Sequence, residues 1–373
     1  MPDIIDLSRG HPTPSLLPTS MIQGAFAQLS DGDVAAALGY GPEGGPMSLR
    51  RHLAAFLSER YRFPVSPEEV ATGSGISLSL ALACQLFSRT GDTVVCEDPS
   101  YYYASDMFDS AGLRMHCVPV DGDGMRVDLL ERALTEDKLR PAFVYCIASF
   151  HNPTGVTLAP ARAERLVALA ETYDFLVIAD EPYTLLHFDA EPPPCMMSYD
   201  AGRGRVLSLG SFSKILAPGL RTGWVHGHPS VVEHFTHHGS LRSGGGLNPV
   251  VFAALEKLIT DGSLGRNIDH LRAVYGRRAE ALTDTLRSAL PGVDFHAPRG
   301  GYFLWLPLTA PDDREGGATL DERAHARGVK YMPGGRCAVA SELAACVRLC
   351  FAYCEEGELR AGAERLARAI GDG

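Results

Sequence analysis

The sequence predicts an α/β protein built on a mostly parallel sheet that carries helices on both faces. From Ser48 onward, short apolar runs alternate with helical patterns, and this alternation is typical of parallel strands joined by crossover helices. The runs at residues 143–147 and 176–179 are apolar along nearly their whole length, as expected for strands buried on both faces. After about Arg266 a long helical pattern is followed by short strands, which predicts a smaller α+β lobe.

Turn-forming residues, helical patterns and apolar runs divide the chain into a series of elements. Residues 12–46 are rich in Pro and Gly and predict an arm that lies across another surface. Helices are predicted at 78–87, 166–173, 267–290 and 355–370, strands at 93–96, 143–147, 176–179, 206–209 and 223–226 and around Phe303 and Leu349, and surface connections at 191–194 and 310–317. We expect an N-terminal arm that forms part of the small domain at 1–45, a large domain at 46–270 and a small domain at 271–373.

Composition limits the classes of function. The 373 residues are 45% apolar and 21% charged, as in ordinary globular enzymes, and the formal charge of −11 argues against nucleic acid or an acidic membrane as a partner. No apolar run approaches membrane-spanning length, and the first residues do not resemble a signal peptide. Nine cysteines without a Cys-x-x-Cys pair favour reduced thiols in the cytoplasm over a disulfide framework or a metal site.

Lys214 lies in the most informative segment, residues 210–224, which places it between hydroxyl side chains and seven residues before Arg221. A lysine amine can form a Schiff base with an aldehyde, and a guanidinium can bind phosphate oxygens through two parallel hydrogen bonds. Because a cation lies nearby, we also expect a lowered pKa for this amine. The segment therefore predicts a site for a phosphorylated aldehyde, with a solvated surface lysine as the alternative.

Two further segments point to the same edge of the predicted sheet. Residues 149–155 contain Asn152-Pro153-Thr154-Gly155 between a strand and a helix, and the strand 176–179 runs directly into Asp180. An acid at the carboxyl end of a parallel strand faces the ligand crevice of an open α/β sheet. Taken singly, Asp180 could cap a helix and Tyr183 could be a packed aromatic.

Together, Asn-Pro-Thr-Gly at 152–155, Asp-x-x-Tyr at 180–183 and Ser-x-x-Lys at 211–214 resemble the class I/II aminotransferases, pyridoxal-phosphate enzymes of fold type I. The resemblance covers nearly the whole chain, because further matching segments follow in the family's order at 6–12, 40–45, 72–77, 97–101, 300–305 and 347–351. It implies a large domain with a mostly parallel, seven-stranded sheet and a smaller α+β domain.

The resemblance also implies pyridoxal 5′-phosphate as the cofactor and a role for each matching residue. Lys214 would hold the cofactor as an internal aldimine and move the substrate proton, while Asp180 would pair with the pyridine nitrogen. Tyr183, the third implied catalytic residue, would face the phenolic oxygen together with Asn152. The other implied cofactor contacts are Tyr101 on the ring face and, around the phosphate, Gly75, Ile76, Ser77, Ser211, Arg221 and Tyr40 of the partner subunit. Ile76 replaces a polar residue of the family, so we expect only its backbone to contribute.

Arg348 is implied as the residue that binds the substrate α-carboxylate, because the planar guanidinium matches carboxylate geometry. A structural ion pair is the alternative for a charged residue in so apolar a strand. Gly10 and Asn152 are implied beside the substrate. Arg242, which precedes Ser243-Gly244-Gly245-Gly246, is expected to line the distal pocket from the partner subunit.

The implied function is transfer of an amino group between an L-α-amino acid and a 2-oxo acid by a homodimer, in a ping-pong reaction through the Lys214 aldimine and pyridoxamine phosphate. A lyase, decarboxylase or cyclase on the same scaffold is the alternative, because the fold does not choose among these reactions. An effector-sensing domain of a transcriptional regulator is disfavoured, since the arm begins near residue 4 and the chain has no basic face. A dinucleotide-binding protein is disfavoured because Gly-x-Gly-x-x-Gly is absent from a strand-to-helix junction.

Overall fold

The computed structural model describes residues 4–308, 318–341, 343 and 345–371. Its strands are β1 (Ile5–Asp6), β2 (Val70–Gly73), β3 (Thr93–Asp98), β4 (Arg114–Asp121), β5 (Gly124–Met125), β6 (Phe143–Cys146), β7 (Leu176–Asp180), β8 (Val206–Ser211), β9 (Gly223–Gly227), β10 (Phe303–Pro307), β11 (Val329–Lys330), β12 (Met332–Pro333) and β13 (Cys346–Cys350). Its helices are α1 (Thr19–Ala27), α2 (Asp31–Leu38), α3 (Met47–Tyr61), α4 (Ile76–Phe87), α5 (Tyr102–Ser110), α6 (Val127–Thr135), α7 (Pro160–Tyr173), α8 (Pro229–Thr236), α9 (Gly239–Gly244), α10 (Pro249–Thr260), α11 (Ser263–Ala289), α12 (Leu320–Ala326) and α13 (Glu356–Gly371).

The central sheet has the strand order β2-β9-β8-β7-β6-β3-β4-β5. The five strands from β8 to β4 are parallel to one another, whereas β9 runs antiparallel to both of its neighbours and β5 antiparallel to β4. This topology confirms the predicted α/β class with a mostly parallel sheet. The expected seven strands are all present, and the two-residue strand β5 adds an eighth at one edge.

Helices cover both faces of this sheet, as the uninterrupted apolar runs predict. Val144 and Cys146 of β6 pack into one hydrophobic core together with α6 and α7. Their neighbour Phe143 packs into the opposite core together with α4 and α5. Alternate side chains of a strand point to opposite faces, so a strand with a core on each side must be apolar at nearly every position. That requirement brings the polar side chains to the ends of the strands, where the site lies.

The second lobe contains a three-stranded antiparallel sheet in the order β10-β13-β12. The 27-residue helix α11 and the C-terminal helix α13 pack against each other beside it. The strand β1 pairs with β11, which brings the N-terminal segment around residues 5–6 against this lobe. None of the helices in the described part of the chain combines the length and the apolarity needed to cross a membrane.

The structure adds elements that the sequence patterns did not reveal. The arm contains two helices, and Ser30 and Asp33 form a reciprocal capping box at the start of α2 that the abundance of Pro and Gly hid. Strand β4 was not predicted, because only one of its eight residues is buried. The predicted connection at 310–317 lies outside the described residues.

Candidate functional site

A cavity of about 430 Å³ opens where β3, β6, β7 and β8 end, and the N-terminal segment closes one side of it. It brings together most of the residues that the sequence motifs singled out. The predicted residues that line it are Gly10, Ile76, Ser77, Tyr101, Asn152, Asp180, Tyr183, Ser211, Lys214, Arg221 and Arg348.

Asp180 ends β7 with its carboxylate at the cavity and only 4% of the residue exposed. Its Oδ2 accepts a hydrogen bond of 2.6 Å from the Tyr145 hydroxyl, whereas its Oδ1 is buried without a partner in the described residues. Burial raises the pKa of Asp180 to about 7, because a buried carboxylate loses the hydration that favours its charge. An unpartnered buried oxygen of this kind indicates that a donor from a ligand belongs beside it.

Lys214 follows β8, and its Nζ donates a hydrogen bond of 2.8 Å to the carbonyl oxygen of Gly10. Burial lowers the pKa of Lys214 to about 8, and the nearby cations Arg348 and Arg221 act in the same direction. A larger fraction of this amine is therefore neutral and nucleophilic near neutral pH than in an exposed lysine. The direction agrees with the expectation from the sequence, although burial rather than a neighbouring cation is the largest cause.

The N-terminus of α4 forms a cradle suited to a phosphate. Its first backbone N–H groups have no partner within the helix and carry the positive end of its dipole. Gly75, the residue before the helix, has a φ of +82°, and a Cβ there would lie 3.0 Å from Nη2 of Arg221. Arg221 is held over the cradle by its contacts with Ser213 Oγ and the carbonyl oxygen of Ser74, both at 3.4 Å. A glycine that leaves room for a guanidinium beside free N–H groups is typical of an anion site.

Arg348 reaches the opposite side of the cavity from β13 and is only 3% exposed. Its Nη1 donates to Asn152 Oδ1 at 2.9 Å, and its Nη2 donates to the carbonyl oxygen of Ser8 at 2.8 Å. The described residues provide no carboxylate partner for this guanidinium, so the alternative of a structural ion pair has no support there. A buried cation without an acidic partner suits an anionic ligand.

Aromatic rings form the remaining walls. Tyr183 is buried, and its ring centre lies 5.9 Å from that of Phe303, over which the Arg348 guanidinium lies at 4.3 Å. Tyr101 precedes α5 and lines the cavity, together with its neighbours Tyr102 and Tyr103. Aromatic rings and charged side chains thus line the same cavity.

Three predicted residues are not among those that line this cavity in their own chain, and one of them, Gly75, lies next to it beside Arg221. Tyr40 is 90% exposed and borders a separate cavity of about 540 Å³ between the arm and α10. Arg242 is exposed on the short helix α9. Both were assigned to the site of the partner subunit, so their roles stay predictions.

The structure also reveals three buried polar residues beside the site that the sequence reasoning passed over. One is Tyr145, whose hydroxyl donates a hydrogen bond to Asp180. The other two are His151 and Glu97, which are almost wholly buried, with His151 Nε2 at 3.1 Å from Glu97 Oε2. The available signal was a tyrosine in an otherwise apolar buried strand, since a buried phenol needs a hydrogen-bond partner. The hydrogen-bond partner of Tyr145 could not be identified until the register of β6 against β7 was known.

Comparison with known proteins agrees with this geometry. A family model described as aminotransferase class I and II matches residues 2–366. The aromatic-amino-acid aminotransferase 1 of Thermococcus litoralis is 35% identical over 99% of this chain and 88% of its own. The crystal structure of a multiple substrate aminotransferase from Thermococcus profundus superposes with a TM-score of 0.91 at 34% identity, covering 100% of this chain and 92% of that one. The kynurenine aminotransferase of Pyrococcus horikoshii, solved in complex with PMP, has a TM-score of 0.91 at 32% identity and covers 99% and 91% of the two chains.

Proposed function

Because the chain belongs to the class I and II aminotransferase family, we propose that it transfers an amino group between an L-α-amino acid and a 2-oxo acid by a ping-pong reaction that uses pyridoxal 5′-phosphate. One observation carries the proposal. A lysine amine with a lowered pKa and an unpartnered carboxylate oxygen, Lys214 Nζ and Asp180 Oδ1, line the same cavity. An aldehyde and a ring nitrogen carried by one flat molecule would use both.

The residues present fit pyridoxal 5′-phosphate. When bound, this cofactor supplies an aldehyde that reacts with amines and a protonated ring that accepts electrons. The unpartnered Asp180 Oδ1 suits the ring nitrogen, and the cradle at Gly75 and Arg221 suits the phosphate. The rings of Tyr101 and Tyr183 suit the faces and edge of the pyridine.

The chain's own residues then divide the work. Lys214 would hold the cofactor through Nζ and, when this amine is free, would accept the proton that leaves the substrate α-carbon. A free-amine pKa of about 8 suits this task, because an efficient general base has a pKa near the working pH. Arg348 holds the α-carboxylate and so fixes which face of the substrate meets Lys214. Asn152, which already accepts a hydrogen bond from Arg348, links the substrate end of the cavity to the ring.

We also propose that the enzyme is a homodimer in which Tyr40 of the partner subunit completes the phosphate site. The support is the 90% exposure of Tyr40 together with the exposed apolar side chains of Phe26, Val34 and Leu38 on the arm. Exposed apolar side chains grouped on one segment favour association, and a site shared by two identical subunits requires a two-fold interface. For the cellular location we propose the cytoplasm, which the free thiols of all nine cysteines support.

Chemical trapping of the cofactor tests the proposed attachment. Borohydride treatment of the yellow, cofactor-loaded protein is expected to fix the cofactor on Lys214, and peptide mapping locates the modified residue. Lys214→Ala is expected to bind the cofactor weakly through the phosphate cradle and to lose turnover. Lys257→Ala is the matched control, because Lys257 pairs with Asp33 beside the other cavity. An adduct on Lys257, or full turnover by Lys214→Ala, would contradict the assignment.

A further inference from the structure

Tyr145 makes a buried contact that the cofactor-binding motifs do not include. It lies on β6 opposite Ile178 of β7, so its side chain extends on the same face of the sheet as Asp180, two residues further along β7. Its hydroxyl donates to Asp180 Oδ2 at 2.6 Å, and Tyr145 itself is completely buried. A bond this short to a carboxylate is typical of a strong, charge-assisted hydrogen bond.

This contact divides the two oxygens of the carboxylate between different partners. Within the described part of the chain, Tyr145 donates the one hydrogen bond that the Asp180 carboxylate accepts. Because Oδ2 is engaged, the carboxylate is held in one orientation, and Oδ1 is left for whatever occupies the cavity. A carboxylate that rotated freely would not be oriented toward the ligand. Fixing it when the ligand binds would also cost conformational entropy.

Electrostatics around Asp180 makes this donor important. Burial raises its pKa, and the nearby carboxylate of Glu97 acts in the same direction, whereas the Tyr145 hydrogen bond, Lys214 and His151 lower it. Three other groups also face this region, and none of them supplies a positive charge that would favour the ionised carboxylate: Glu181, Tyr101 and Tyr183. Of the groups that favour the ionised form, Tyr145 is the one that donates a hydrogen bond directly to the carboxylate.

We propose that Tyr145 is a positioning residue for the cofactor: it holds Asp180 ionised, with Oδ1 free for the ring nitrogen, so that the proton they share stays on the ring. The inference rests on the proposed function, because it requires a pyridine ring in the cavity. It assigns the electron-accepting state of the cofactor to a pair, Asp180 and Tyr145, rather than to Asp180 alone.

The test compares full-length wild type and Tyr145→Phe after both are loaded with pyridoxal phosphate labelled with nitrogen-15 in the ring. The ring-nitrogen chemical shift is expected to report a protonated ring in the wild type and to move toward the unprotonated value in the variant. Because Asp180 is then neither held ionised nor oriented toward the ring nitrogen, the dissociation constant of the cofactor is also expected to increase roughly tenfold. Phenylalanine fits the site because the ring packs against Phe108 at 5.5 Å, and circular dichroism checks the fold.

Two controls separate positioning from packing. Tyr61→Phe removes another buried tyrosine hydroxyl, one without a partner in the described residues, and is expected to leave the shift and the affinity unchanged. In an Asp180→Asn background, Tyr145→Phe is expected to have little further effect, since the two residues act as one unit.

The outcomes distinguish this inference from the proposed function. If wild-type protein binds no pyridoxal phosphate, the proposed function fails and the role of Tyr145 fails with it. If wild type binds the cofactor with a protonated ring and Tyr145→Phe shows the same shift and affinity, the inference alone is overturned. The inference is also overturned if Tyr145→Phe differs from wild type only in its melting temperature, because that result would indicate a packing role.

Discussion

Asp180→Asn is expected to make the cofactor-free protein more stable while it weakens cofactor binding and catalysis. The carboxylate is buried, and its pKa rises from the ordinary 3.8 to about 7. For an acid with a raised folded-state pKa, the stabilising contribution is present below the unfolded-state value and is lost as pH rises through the folded-state value. Holding this charge in the cofactor-free protein at alkaline pH therefore costs roughly 4 kcal/mol, at about 1.4 kcal/mol per pKa unit.

Asparagine has the same shape and can still accept the Tyr145 hydrogen bond, but it carries no charge. As the pH rises from about 5 to 8, the free energy of unfolding of wild type is expected to fall by roughly 3 kcal/mol relative to that of Asp180→Asn. Burial also raises the pKa of Glu181 to about 7, and the charge of Asp180 contributes to this rise. Removing that charge lowers the pKa of Glu181, which adds to the expected difference in the same direction. Urea unfolding of the two cofactor-free proteins at both pH values measures the difference. Stability curves that stay parallel across this pH range would refute the argument that the charge of Asp180 is buried at a cost.

Three further substitutions test other parts of the site. Arg348→Lys is expected to lower kcat/KM roughly ten- to hundredfold for amino-acid and 2-oxo-acid substrates alike, because lysine cannot form two parallel bonds to a carboxylate; a loss confined to one substrate in steady-state assays would argue against this role. Gly75→Ala is expected to increase the cofactor dissociation constant about tenfold, because its φ of +82° is strained for alanine and the added Cβ meets Arg221. Gly24→Ala, with open space around it, is the control, and equal fluorescence titrations of both variants would contradict the cradle. Tyr40→Phe is expected to weaken cofactor retention by about 1 kcal/mol, and an active monomer in sedimentation experiments would exclude the shared site.

Most of the cavity was predictable because its residues lie in short local patterns. Asp180 ends an uninterrupted apolar strand, and Asn152 and Lys214 lie in the connections that follow strands β6 and β8. In a parallel sheet such positions converge at one edge, so the sequence order alone brings them together. The alternation of strands and helices was predicted correctly because it too depends on local patterns in the sequence.

The pairs that depend on register could not be predicted in this way. The contact between Tyr145 and Asp180 requires β6 and β7 to be neighbours in a particular alignment, and the contact between Glu97 and His151 joins segments more than fifty residues apart. Strand β4 escaped prediction because burial there is too sparse to leave a periodic pattern. The roles of Tyr40 and Arg242 depend on a second subunit, so a single chain holds no local pattern for them.

The half-reaction with an amino donor alone tests the central claim most directly. Cofactor-loaded enzyme is mixed with a panel of L-amino acids that includes aromatic donors, with no 2-oxo acid present, and the products are identified by mass spectrometry. A good donor is expected to release one equivalent of its 2-oxo acid per site and then stop. An added 2-oxo acid is expected to restore turnover, and Lys214→Ala is expected to release none. Continued release of ammonia or carbon dioxide without any acceptor would contradict this claim and would indicate a lyase or a decarboxylase instead.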